Sequence, residues 1–367
     1  MTSPTFRMLN VSSKFAICGL PVRVDTYRSC SFGCTYCFAN SRKIMEFDKS
    51  LRIGSLMGME REYARAMSGG GSLLDVLIRR GVTWHCGGMS DPFQPCEEDY
   101  HITRGLVDFT REVGVRVLFS TKTDDLRGCG DHLDPRVHTF QMSVSNVDDR
   151  LDLEPNVPPI ARRKELYDRL KSDGFKVGIR IQPFIPGVTN PDVVDMFSDA
   201  DHFTIEGLKL VPQNREHVAR VLEATGLDKS MFTQMGLLNL KPGIRLESYR
   251  EVVQRIRYYG RPWSIADNDM HHIGCCSCCC GDSLVGRSSG FDSTAMAMGH
   301  GVPWTVDDVH EAAGDEVWGA KASQLFTSNR TGGCVTVGDF YGRRFDRKGS
   351  PFGPGFLVED VDVADPE

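Results

Sequence analysis

The sequence predicts an α/β fold in which parallel strands alternate with helices and wind into a full or partial (β/α) barrel. Six strand-like segments recur between residues 22 and 208, separated by helix-like stretches and glycine or proline breaks. Right-handed crossovers close such a series into a barrel, and an open doubly wound sheet is the alternative. Cysteine and polar residues gather at the C-terminal ends of the segments, where folds of this class hold their chemistry.

The first strand reads Val22-Arg23-Val24-Asp25-Thr26-Tyr27. A cysteine loop follows it, then a polar helical stretch over 41–67 that Ser68-Gly69-Gly70-Gly71-Ser72 breaks. The second strand, Val82 to Cys86, ends in Gly87-Gly88. Pro95 with Glu97, Glu98 and Asp99 marks a helix start, with acids at the positive end of the dipole, and that helix runs to Val113. Val115 to Thr121 is the third strand and His138 to Val144 the fourth. Ile160, Leu166, Tyr167 and Leu170 share a helix face, and Gly174 stops that helix. The fifth strand, Lys176 to Ile181, is ended by Pro183, and His202 to Leu208 is the sixth. Beyond Gln213 the period loosens, leaving a helix from Leu246 to Tyr259 and a short strand from Trp263 to Ala266. The expected division is an N-terminal segment (1–21), a β/α core (22–213), a flanking region with a second cysteine cluster (214–283) and an irregular, cysteine-containing C-terminal extension (284–367).

The chain of 367 residues is 40% hydrophobic and 25% charged, which fits a soluble globular protein and excludes a disordered or fibrous one. Its formal charge, 43 − 49 = −6, excludes a global basic field for nucleic acid but leaves a local groove open. No window approaches the roughly 18 apolar residues of a membrane span, and residues 1–20 lack the pattern of a secretory leader. The protein is expected to be cytoplasmic, where thiols stay reduced. Of the 13 cysteines, three lie within 30–37 and five within 275–280. Such clusters in a reducing compartment point to metal or redox chemistry. Neighbours such as Cys275 and Cys276 have Cα atoms about 3.8 Å apart, short of the roughly 4.4–6.8 Å of a disulfide. Cys18, Cys86, Cys96, Cys129 and Cys334 read mostly as small buried hydrophobes.

Cys30-Ser31-Phe32-Gly33-Cys34-Thr35-Tyr36-Cys37 places C-x3-C-x2-C on the loop after the first strand. Three thiolates there suit three irons of a [4Fe–4S] cube and leave the fourth iron open to an external ligand. A zinc knuckle would want a fourth ligand nearby, and the next histidine downstream is His85. This motif, with Tyr36 as its aromatic, resembles the signature of the radical S-adenosylmethionine (SAM) superfamily. Further segments are similar to its spore photoproduct lyase-like branch: Asp91-Pro92-Phe93-Gln94-Pro95 after strand two, Ser120-Thr121-Lys122, Ser143-Val144-Ser145, Leu153-Glu154-Pro155, and Arg180 to Gly187. The resemblance covers residues 22–210, a little over half of the chain.

The resemblance implies a partial (β/α)6 barrel of the radical SAM type. It also implies a [4Fe–4S] cluster on Cys30, Cys34 and Cys37, bound SAM, and reductive SAM cleavage to a radical that abstracts a hydrogen atom. The backbone near Tyr36 would meet adenine, and Gly87-Gly88-Met89 the methionine amino group, with Met89 where an acid is usual. Asp91 would be a further cofactor contact. Lys122 would pair with the methionine carboxylate. Ser143, Ser145 and Arg180 would reach the ribose or carboxylate. Glu154 is expected to pair with Arg162 or Arg163 as a brace. A flavodoxin or ferredoxin would supply the electron.

The run Cys275-Cys276-Ser277-Cys278-Cys279-Cys280 is denser than packing requires. It admits an auxiliary iron–sulfur cluster, a zinc site with His271 or His272, a hydrogen-donating thiol, or no metal. Cys86 and Cys96 are rival hydrogen donors near the barrel mouth. The photoproduct-lyase resemblance suggests a nucleic-acid base as substrate, in DNA repair or modification, with Arg255, Arg257, Arg261 and the group Arg343, Arg344, Arg347 and Lys348 as local cations. A small molecule, a peptide, or a non-catalytic metal-binding role are the alternatives.

Overall fold

The computed structural model describes residues 5–12, 18–39, 51–235, 237–267, 269–291, 310–311 and 314–317. Residues 41–50 of the expected second-element helix, Cys334, the Arg343–Lys348 group and most of the 284–367 extension lie outside the described residues.

Eight strands form the main sheet: β1 (Leu9–Val11), β2 (Val22–Val24), β3 (Trp84–Cys86), β4 (Val117–Thr121), β5 (His138–Ser143), β6 (Val177–Phe184), β7 (Phe203–Gly207) and β8 (Trp263–Ile265). Their spatial order is their sequence order. Strands β2 to β8 are parallel to their neighbours, and β1 runs antiparallel to β2. The α/β expectation holds, but the sheet is not closed, since β1 and β8 are free of each other and form its two edges. The short strand expected near Trp263 is the seventh parallel strand, and β6 runs on through Pro183 to Phe184.

The strands alternate with period two, and the two faces do different work. Val117, Phe119, Phe140, Met142, Val177, Ile179, Ile181, Phe203 and Ile205 lie in the main core. There they meet Leu74, Leu77 and Ile78 of α2 (Leu73–Arg79), Leu106 and Val107 of α3 (Ile102–Val113), Leu166, Tyr167 and Leu170 of α4 (Ile160–Ser172), and Tyr249, Val252, Val253 and Ile256 of a long later helix. The intervening residues, Arg23, His85, Ser120, Ser143, Arg180, Gln182 and Glu206, line a cavity on the opposite face. The sheet thus presents an apolar face to the helices and a polar, charged face to the site.

Two expected helices are shorter than the sequence suggested. Arg52–Gly54 is a strand, pairing with Tyr27–Arg28 and Thr5–Phe6, and α1 (Leu56–Met67) begins only where the Ser55 hydroxyl accepts from the Gly58 amide at 3.1 Å. The helix from Pro95 to Val113 is broken at His101, whose φ is 54°. The buried Glu97 carboxylate explains the break: it accepts from the amides of Thr103 at 2.8 Å and Arg104 at 2.9 Å, capping α3 from outside.

Beyond Gln213 the chain is more regular than its pattern suggested. Asn214 caps α5 (Arg215–Thr225) through the His217 amide at 3.0 Å. An antiparallel ribbon pairs Leu237–Leu240 with Phe232–Met235 and Lys209–Leu210. The long helix α6 (Pro242–Tyr258) follows. Val218, Val221, Phe232, Leu238 and Leu240 form a second core with Tyr36 and Leu153, so this region packs under the cysteine loop.

Candidate active site

The loop after β2 is clamped from two sides. The Gln94 side chain accepts from the Ser31 amide at 2.9 Å and donates to the Ser29 carbonyl at 3.1 Å. Asn156 donates to the Ser31 carbonyl at 3.0 Å, and the Thr35 amide donates to the Leu153 carbonyl at 2.8 Å. Gly33 turns the loop at φ 61°, and the Cys37 amide closes onto the Cys34 carbonyl at 3.0 Å. The result points Cys30, Cys34 and Cys37 into one cavity of about 470 Å³.

The donor set suits a cluster. The Cys30 sulfur accepts from the backbone amides of Phe32 and Asp91, contacts of the kind that tune cluster sulfurs. Burial pushes the Cys30 and Cys34 thiols up to about 12, so a bound cation must displace their protons. Among the described residues no three His, Cys, Asp or Glu side chains are gathered around one ion position. Thiols that occupy separate corners of a cube have no need to be.

The strand ends surround this loop. Gly87, at φ 95°, lies so close to β4 that a Cβ would sit 2.1 Å from the Ser120 carbonyl oxygen. Glycine is therefore required where β3 turns over the cavity. Gly88 and Met89 line the cavity beside it. Asp91 also lines it, yet its carboxylate is engaged by the Phe93 amide at 3.0 Å, the Thr121 hydroxyl at 2.8 Å and the Lys122 amide at 2.6 Å. Those bonds tie the end of β3 to the end of β4. Burial outweighs them and raises Asp91 to about 6.

No family model matches the sequence. Over 172 residues, 46% of this chain, it is 23% identical to a protein of Pseudomonas phage M6 named Radical SAM Nalpha-GlyT isomerase. The chain spans about a third (34%) of the length of that curated relative. Among solved structures, a single-site mutant of spore photoproduct lyase has a TM-score of 0.55 and 14% identity, covering 71% of this chain and 80% of that one. A double mutant of the same lyase with bound AdoMet and dinucleoside spore photoproduct has a TM-score of 0.51 and 14% identity, covering 69% and 80%. The chain resembles radical SAM enzymes in motif and in fold.

The cysteine motif and the strand-end residues of the radical SAM resemblance converge in part. Tyr36, Lys122, Ser143 and Arg180 line the cavity with the three cysteines. Ser145 does not; it is buried behind them, donating to the Gln182 carbonyl at 3.2 Å. Lys122 Nζ lies 2.8 Å from Glu154 and 3.4 Å from Ser145 Oγ. Glu154 also accepts from Tyr36 and pairs with Arg163 at 3.7 Å, whereas Arg162 turns to Asp124 at 2.7 Å. Lys122 first, then Arg163, hold the Glu154 carboxyl down at about 2 against its burial. Because its folded pKa is depressed, Glu154 adds stability above its ordinary value near 4.5 and loses it as pH falls towards 2. We expect Glu154→Gln to lose on the order of 3 kcal/mol at pH 7 and to show a flatter stability profile between pH 5 and 2 in urea titrations. An unchanged slope of stability against pH would refute the pairing.

Arg180 forms a denser network. It donates to Glu206 and Gln182, and its Nη1 lies 3.4 Å from Gln141 Oε1 and 4.0 Å from Cys280 Sγ. Glu206 in turn binds Lys209, which reaches Asp267 at 3.3 Å. Arg23, His85, Gln182, Glu206 and Lys209 line the cavity without having been singled out from the sequence. The signal was present: each of Arg23, His85 and Glu206 is a polar residue at an alternating position of a strand.

The second cysteine run crosses the sheet near the starts of its strands. The Cys275 amide bonds the Trp263 carbonyl at 3.0 Å, the Ser264 and Thr204 hydroxyls donate to the Cys279 carbonyl at 2.9 and 2.8 Å, and Gln141 donates to the Cys280 carbonyl at 3.3 Å. Thr139 and Thr83 then hold the Leu284 and Val285 carbonyls. At Gly274 a Cβ would meet Ser264 Cα at 2.7 Å, and at Gly281, φ 86°, it would meet His202 at 2.4 Å. The segment therefore closes one end of the cavity. Cys278, Cys279 and Cys280 line it with Cys30, Cys34 and Cys37, while Cys275 is exposed and Cys276 is buried away from it. His271 Nε2 lies 2.6 Å from the Ser277 carbonyl oxygen and Nδ1 3.2 Å from that of Ile265, so one of these nitrogens donates to a carbonyl. Cys86 belongs to the main core and Cys96 packs against it; neither lines the cavity. Arg255, Arg257 and Arg261 do not line it either: Arg255 pairs with Asp195, Arg257 lies over Trp263, and Arg261 donates to the Ser198 carbonyl at 2.7 Å.

Proposed function

We propose that this chain is a radical SAM enzyme in which Cys30, Cys34 and Cys37 hold a [4Fe–4S] cluster, SAM binds at its open iron, and the substrate reacts in the cavity they share. The observation that carries this reading is the meeting of all three thiols with Gly87, Gly88, Met89, Lys122, Ser143 and Arg180 around one space. When bound, the reduced cluster and SAM supply a radical that abstracts a hydrogen atom. The chain's own residues do the rest. Gln94 and Asn156 fix the ligand loop. Gly87 lets the backbone come close enough for carbonyls to accept from an amino group. Lys122, oriented by Glu154 and Ser145, offers an ammonium to a carboxylate. We read the open sheet as a partial barrel, and the 275–285 segment as the closure that keeps water from the reacting centre. A flavodoxin or ferredoxin is the expected electron donor.

The test is anaerobic reconstitution, chemical reduction and assay of 5′-deoxyadenosine. Product formation with the absorbance of an iron–sulfur cluster is expected; reduced, iron-loaded protein that leaves SAM intact would refute the reading. Because the segment carrying Cys278, Cys279 and Cys280 closes the cavity through its backbone carbonyls and not its thiols, iron should stay at about four per chain when all three are replaced by serine. Wild-type protein with about eight irons, falling to about four in that variant, would instead place a second cluster there.

For the substrate we propose a nucleic-acid base, supported by the named dinucleoside ligand of the structurally similar lyase. Binding to single- or double-stranded DNA that weakens with salt is the expected result. No binding at low salt would exclude a nucleic-acid polymer.

A further inference from the structure

Most charged groups around the cavity are answered by opposite charges. Lys122 has Glu154, and Arg180 and Lys209 share Glu206. Arg23 differs. Its Nη1 donates to His85 Nδ1 and its Nη2 lies 3.9 Å from Cys18 Sγ. Among the described residues it forms no salt bridge, although it lines the cavity.

His85 explains how this guanidinium is held without being neutralised. Its Nε2 lies 2.8 Å from Ser120 Oγ, and burial together with Arg23 and Arg180 drives its pKa well below the ordinary value. A neutral His85 carrying its proton on Nε2 donates to Ser120 and accepts from Arg23 on Nδ1, aiming the guanidinium while leaving its charge intact. Gly88 keeps the approach clear: a Cβ there would sit 3.4 Å from Arg23 Nη1. Asp25, which lines the same cavity, feels the Arg23 charge but forms no salt bridge with it, and a buried cation that no carboxylate contacts is costly unless something anionic arrives to answer it.

We infer that Arg23 is an anion subsite and that the substrate presents a carboxylate to it. This rests on the reading of the cavity as the substrate site, and it narrows that site's chemistry. A guanidinium matches a planar carboxylate in a two-bond fork. One positive charge that no carboxylate contacts leaves room for one negative charge, and Asp25 and Glu206, which line the same cavity, would repel a dianion. An unmodified nucleic-acid base carries no carboxylate, so the substrate is narrowed to a small carboxylic acid or to a base that bears a carboxylate substituent; in both cases the carboxylate reaches about as deep as strand β2, within the same cavity as the cysteine loop.

The test uses the full chain without SAM, so that it stands apart from turnover. N-acetylglycine, dimethyl phosphate and acetamide serve as a carboxylate, a phosphodiester and a neutral probe, with binding read by calorimetry. N-acetylglycine should bind, Arg23→Gln should weaken it about tenfold or more, and Arg23→Lys should retain part of it. On wild-type protein, N-acetylglycine but not acetamide should slow modification of Arg23 by phenylglyoxal, which covers the case in which Arg23→Gln fails to fold. Equal binding of acetamide, unchanged affinity in Arg23→Gln, or no protection of Arg23 would overturn the inference. Preferential binding of dimethyl phosphate would overturn the carboxylate assignment. Loss of SAM cleavage with carboxylate binding intact would count against the enzymatic reading and leave the subsite standing.

Discussion

Replacing Cys30, Cys34 and Cys37 together by alanine should reduce bound iron from about four atoms per chain to almost none and 5′-deoxyadenosine formation to background. The size of the effect follows from geometry. The three thiols are presented together by one loop, whereas Cys278, Cys279 and Cys280, which also line the cavity, lie on a separate segment tied by its backbone carbonyls to Thr204, Ser264 and Gln141. The loop itself should survive, because Gln94, Asn156 and the Thr35 amide hold it through backbone contacts that the thiols do not make. Native-like circular dichroism without iron is therefore the expected pair of observations. Iron retained near the wild-type level would mean that the cysteines are not its ligands.

The largest stability effect is expected at Arg245. Its guanidinium is 2% exposed, grips Asp269 with both Nη atoms, and stands 3.5 Å from Asp267. Asp267 is also bound by Tyr249 at 2.7 Å, the Gly207 amide at 3.1 Å and Lys209 at 3.3 Å. Arg245→Met removes one cation and strands Asp269, with a loss of about 3–5 kcal/mol. Urea unfolding at pH 7 should show a lower midpoint at unchanged slope. Neighbouring Lys209 and Arg245 hold Asp267 down at about 2, so its contribution is present above the ordinary aspartate range and fades as pH falls towards 2. The variant should accordingly differ least from wild type in acid. A loss below about 1 kcal/mol at pH 7 would contradict the ion-pair account, since pairs this buried do not behave like surface ones.

Much of this organisation was legible in the sequence, for identifiable reasons. The six core strands and the ligand loop depend on local pattern: alternating β-branched residues, glycine breaks, and three cysteines within eight positions. Arg23 and His85 were legible in principle, as polar residues between apolar neighbours in Val22-Arg23-Val24 and Trp84-His85-Cys86, but pattern alone does not say which face encloses a cavity. Glu97 was read as a first-turn acid, whereas it caps the next helix from across a break. The cysteine run was the hardest case. Its placement depends on Gln141, Thr204 and Ser264, distant in sequence, whose amide and hydroxyls fix its carbonyls, and on Thr83, which holds the Val285 carbonyl just beyond it. Sulfur chemistry drew attention to the thiols, yet the backbone between them is what the fold binds.

The closure by that segment also orders events in time. Its contacts join residues late in the sequence to residues near its start, as in the Ser289 hydroxyl donating to the Cys18 carbonyl and the Ser289 amide to that of Gly19. Such long loops are the slowest to close. The strands and the ligand loop can assemble during synthesis, while the chamber remains open at one end until residues 275–289 have emerged.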